Sequence, residues 1–71
     1  MTTVEVFKTN VCEARTGQRL IKKLLHHYPD ARINFDLEDC DKVLRVEGLL
    51  LSTDQITSTL QREGFECEVL I

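Results

Sequence analysis

The stretch "ARINFDLE" (31–38) alternates apolar and polar residues without a break, with Ile33, Phe35 and Leu37 on one side and Arg32, Asn34, Asp36 and Glu38 on the other. A period of two belongs to a strand with one buried face. After the polar "DCDK" the alternation resumes in "VLRVE", with Leu44 and Val46 on the apolar side. Two alternating runs around a short polar turn predict a β-hairpin. An isolated hairpin is at best marginally stable in water, so its flanks decide what the chain can become.

Both flanks carry a helix and then a strand, reading outward. Upstream, "TVEVFKT" (3–9) alternates, with Val4 and Val6 on one face and Glu5 and Phe7 on the other. Phe7 is expected outward, as an aromatic on the open face of the sheet. From Ala14 the period lengthens: Ala14, Gly17, Leu20, Ile21, Leu24, Leu25 and Tyr28 form a helical stripe that ends at Pro29-Asp30. Downstream, "STDQ" predicts a capping box, with Ser52 accepting from the Gln55 backbone while Gln55 reaches back, and Leu51 and Ile56 placed as its hydrophobic staple. A second helix over about 53–63 carries Ile56 and Leu60, and Gly64 is its C-terminal glycine. "FECEVLI" (65–71) alternates again, with Phe65, Cys67, Val69 and Ile71 expected inward. The order β-α-β-β-α-β, with right-handed crossovers, predicts an α+β ferredoxin-like sandwich: a four-stranded antiparallel sheet of order 4-1-3-2 with two helices on one face.

A chain of 71 residues has room for one domain, 1–71. Its longest apolar run, "LLL" at 49–51, is far too short to span a bilayer. The N-terminus lacks a cationic segment followed by an apolar one, which leads to the expectation of a cytoplasmic protein. A net charge of −3 argues against nucleic acid as a partner. Three cysteines, at 12, 40 and 67, make a poor disulfide framework and suit a reducing compartment. Catalysis is not expected. The glycines are isolated, so no phosphate loop exists, and His26 and His27 sit about 20 Å along the helix from Cys12. Adjacent on a helix, those two histidines also point about 100° apart and do not converge on a metal.

The whole chain resembles the heavy-metal-associated domain of copper chaperones and metal-transporting ATPases, in its length, its element order, its first-helix stripe and its closing "REGFECEVL". In that family the loop after the first strand carries a Met-x-Cys-x-x-Cys motif whose two thiolates hold Cu(I) or another soft ion. The matching stretch here, "KTNVCEARTG", has neither the methionine nor the second cysteine. The resemblance therefore implies the fold, with Cys12 as the one tentative ligand.

Topology offers a way to rebuild such a site. The loop bearing Cys12 and the hairpin turn bearing Cys40 are expected at the same end of the sandwich, with Cys67 just below it. Cys12 and Cys40 are thus the candidate ligands for Cu(I) or Zn(II), helped by Glu13, Asp39 or Asp41 and shared across a homodimer if one chain does not suffice. The plainer account is that Cys67 packs as a small hydrophobe and Cys40 is tolerated in a polar turn. Arg15, Arg19, Lys22 and His26 recur at helical spacing as a basic stripe. In metal chaperones of this fold such a face meets an acidic partner, and on an ordinary amphipathic helix it is simply solvated. Two functions from different classes follow: a soft-metal module using Cys12 and Cys40, or a metal-free interaction domain using the basic helix face or the open sheet.

Overall fold

The computed structural model describes residues 2–70. Its elements are β1 (Thr3–Thr9), α1 (Ala14–His27), β2 (Arg32–Asp36), β3 (Val43–Gly48), α2 (Thr53–Arg62) and β4 (Cys67–Val69). All strand pairs are antiparallel, and the sheet order β2-β3-β1-β4 is the expected order seen from the other edge. The core joins one sheet face to both helices. Phe7, Leu44 and Val46 meet Leu20 and Leu24 of α1 and Ile56 and Leu60 of α2, all with no exposed surface. Each such burial contributes roughly 1.5–3 kcal/mol.

The facing of β1 reverses the expectation. Phe7 is not on the open face. It is fully buried, whereas Val4 is 51% exposed. The register explains this. Phe7 lies opposite Leu44 on β3 and Val69 on β4, and Leu44 is itself a core residue. Turning the strand over would take Phe7 away from Leu44 and bury Lys8 along with the two valines, and a buried unpaired charge is the costlier outcome. Val4, Val6 and Lys8 therefore look outward.

Local chemistry sets the helix ends. Ser52 accepts from the Gln55 amide at 3.2 Å, which is half of the expected capping box. The other half is not made. The Ser52 amide donates instead to the Tyr28 hydroxyl at 3.1 Å, and the Gln55 side chain meets His27 Nδ1 at 3.2 Å, so the end of α1 is fastened to the start of α2. At the far end of α2, Gly64 takes φ +91°. Its amide donates to the Gln61 carbonyl at 3.0 Å, and the Phe65 amide donates to the Leu60 carbonyl at 3.0 Å. Those two bonds form a Schellman motif. Because Phe65 serves that motif, β4 begins only at Cys67 rather than at 65. Val69 sits on the inward register but remains 41% exposed at the sheet edge, and Ile71 lies outside the described residues. Gly17 lets α1 approach β2, since a Cβ there would lie 3.1 Å from Phe35 Cδ2.

Candidate functional site

Three surfaces compete for function: the end bearing the thiols, the basic face of α1 and the open sheet. At the thiol end, Thr9 and Asn10 join three segments. The Thr9 amide donates to the Asp41 carbonyl at 3.1 Å, and its hydroxyl donates to the Lys42 carbonyl and accepts from the Val11 amide. Asn10 Oδ1 accepts from the Glu66 amide at 2.9 Å, and its Nδ2 donates to the Glu66 carboxylate at 3.4 Å. The loop after β1, the hairpin turn and the start of β4 thus do share one end. Neither this Thr-Asn pair nor Val11, which plugs the loop with no exposed surface, stands out in the periodicity of the sequence. The available signal was a Thr-Asn step at a strand end, where short polar side chains bond neighbouring backbone.

The cysteines do not act alike. Cys12 is exposed, and its thiol donates to the Asn10 carbonyl of its own loop at 3.4 Å. Cys40 is exposed in the turn, where donor atoms of Asp39, Cys40 and Asp41 lie within 4.8 Å of one another. Cys12 is not a member of that cluster. The turn has local reasons for its composition: Asp39 Oδ1 accepts from the Asp41 amide at 2.8 Å, and Lys42 holds φ +48° while its Nζ donates to the Leu37 carbonyl at 2.9 Å. Cys67 is buried, and desolvation, aided by the Glu68 charge, pushes its thiol up to about 11. It stays protonated at neutral pH, and a thiol must ionise to ligate. The donors gathered here are one thiol and two carboxylates. They do not fit the paired thiolates of the heavy-metal-associated motif, and they favour a borderline ion such as Zn(II) over Cu(I).

The basic stripe is partly used within the fold. Arg19 Nη1 lies 2.7 Å from Glu63 Oε1, and Lys23 Nζ lies 3.3 Å from Glu63 Oε2. These pairs tie α1 to the end of α2. The hydrogen bond from Arg19 is the main cause that holds the Glu63 carboxyl below its ordinary range; desolvation opposes it and is second in size, and Lys23 adds a smaller lowering. Arg15, Lys22 and His26 are exposed and make no ion pair among the described residues.

The open sheet face follows from the register. Val4 lies opposite Glu47, Val6 opposite Arg45 and Lys8 opposite Glu68, and Glu47 and Arg45 in turn face Arg32 and Asn34. The Leu70 amide donates to the Val6 carbonyl at 2.8 Å, which brings Leu70, 37% exposed, onto the same face. The result is a small apolar strip, Val4, Val6 and Leu70, rimmed by charges of both signs.

Comparison with protein-family models, curated proteins and solved structures finds no match to this chain. No helix among the described residues is long and apolar enough to cross a membrane.

Proposed function

We propose that this chain is a non-catalytic binding module that docks a protein partner through the open face of its sheet. One observation carries the proposal: the facing of β1 puts Val4 and Val6 on the uncovered side of a central strand, within a rim of Arg32, Arg45, Lys8, Glu47 and Glu68. An apolar centre inside a polar rim is the anatomy of a protein interface. The basic face of α1 is the weaker surface, because Arg19 is already paired with Glu63. The architecture agrees with the fold implied by the likeness to heavy-metal-associated domains, and a kinship of that kind would be one that kept the scaffold and lost the soft-metal loop. The test is quantitative capture of a partner by the wild type, by Val4→Glu with Val6→Glu, and by Arg15→Glu with Lys22→Glu. Loss confined to the sheet variant supports the proposal. Loss confined to the helix variant transfers the function to α1.

A second reading rests on the Asp39, Cys40 and Asp41 donors. In it the turn takes up Zn(II), and Cys12 of the same or a second copy completes the coordination. Anaerobic Zn(II) and Cu(I) titrations followed by native mass spectrometry check it. Uptake that is unchanged in both Cys12→Ser and Cys40→Ser eliminates it.

A further inference from the structure

The two edges of the sheet are unequal. β4 forms one edge over Cys67–Val69, and pairing it with itself about its centre sets Glu68 against Glu68. Like charges directly opposite are destabilising, so that edge is guarded. β2 forms the other edge over Arg32–Asp36, with no proline or glycine to interrupt it. Its alternate backbone groups point away from β3. Its exposed side chains read Arg32, Asn34, Asp36, a cation and an anion placed evenly about a neutral centre. Neither charge forms an ion pair among the described residues, and Asp36 lies opposite the apolar Val43.

The flank of α1 above this edge is apolar. Gly17 faces Phe35 of β2, whereas Arg19 and Lys23 reach Glu63 at the end of α2. At about 100° per residue, Ile21 and Leu25 fall on the side of α1 turned away from α2. Both are partly exposed, and neither belongs to the core cluster. Ile33 and Phe35 on β2 are also only partly buried.

We infer that two copies of this chain pair antiparallel through β2, about a two-fold axis at Asn34, to make one continuous sheet. In that register Arg32 of each copy lies opposite the partner's Asp36, and Ile33 lies opposite the partner's Phe35. A shift of two residues sets Asp36 against Asp30 or Asn34 instead, so this register alone gives Asp36 a cation. Asp30 and Glu38, the like charges that it aligns, lie in turns beyond the strand ends. Arg32 comes to sit between Glu47 on its own β3 and Asp36 of the partner subunit. The same approach sets the two apolar α1 flanks side by side. Backbone, charge and apolar surface thus all find their complement in a second copy. The open face of the sheet stays uncovered, so this contact does not depend on the docking of a partner there.

Sedimentation equilibrium from low micromolar to near-millimolar concentration tests this, with circular dichroism on every variant. The wild type is expected to dimerise. Arg32→Glu and Asp36→Lys should each weaken the dimer about tenfold or more, because two attracting cross-strand pairs become two repelling ones. An equimolar mixture of those two proteins should recover the wild-type affinity, since each reversed charge then meets its opposite on the other chain. Amide exchange gives a readout without substitution, should Arg32→Glu beside Glu47 perturb folding: residues 32–36 should gain protection as concentration rises, and β4 should not. A wild type that is monomeric throughout overturns the inference. So does a dimer indifferent to both reversals, a mixture that stays monomeric, or concentration-dependent protection in β4 instead of β2. A dimer dissolved only by Val4→Glu with Val6→Glu also overturns it, by placing the self-contact on the open face.

Discussion

Replacing Phe7 by alanine separates the two ways of threading β1 through the sheet. In the structure Phe7 is fully buried among Leu20, Leu44, Leu60 and their neighbours, whereas Val4 is 51% exposed. Truncating a buried phenylalanine costs about 3–5 kcal/mol, the lost transfer energy plus the cavity left behind. At 0.05–0.15 kcal/mol per residue, the entire stability of a chain this size is roughly 4–11 kcal/mol. Phe7→Ala should therefore remove a large share of it, while Val4→Ala should stay within about 1 kcal/mol of wild type. Urea unfolding followed by circular dichroism gives the measurement. With a slope of about 1 kcal/mol per molar urea, the Phe7 variant should lose about 3 M of midpoint or be unfolded at the outset. Because that variant sits at the edge of foldability, Phe7→Leu supplies a milder point, expected at about 1 kcal/mol. If Phe7→Ala costs no more than Val4→Ala, the phenylalanine lies on the open face after all. The strip proposed for partner docking would then not exist.

Other outcomes follow from single features. Gly64→Ala meets open space but must hold φ +91°, so its cost is purely backbone, about 1 kcal/mol or more, and should lower the thermal midpoint by at least several degrees. Glu63 is held low in the folded chain and returns to the ordinary carboxylate range when unfolded. Its contribution is thus present above the unfolded value and is lost as pH falls through the folded one; Glu63→Gln should flatten the acid limb of the stability–pH curve, and an unchanged limb would show that the pairs with Arg19 and Lys23 contribute nothing. Native thiol labelling near neutral pH should consume Cys12 and Cys40 quickly and spare Cys67. Its protonated form contributes stability below the ordinary thiol value, and that contribution drains away as pH rises toward about 11.

Much of this protein was legible before any coordinates, wherever a local rule determines the outcome. The stripe from Gly17 to Leu24 needs only the 3.6-residue period to define α1, Ser52 caps α2 through an atom three residues away, and Gly64 ends it because few other residues accept that backbone. The alternation in 31–38 was equally sufficient for β2, since one of its sides is wholly polar. On β1 the same rule fails. Val4 and Val6 on one face and Phe7 on the other are both apolar enough to be buried, and alternation assigns two faces without saying which is inside. The choice was made by Leu44 and Val69, which lie far away along the chain and reach Phe7 only through strand pairing. The candidate sites divide in the same way. That the loops of Cys12 and Cys40 share one end of the sandwich follows from topology. That Thr9 and Asn10 bond Asp41, Lys42 and Glu66, that burial goes far enough to raise the Cys67 thiol, and that Arg19 is spent on Glu63 could come only from the tertiary structure. Each depends on distances between residues far apart in sequence, and no pattern along the chain encodes such a distance.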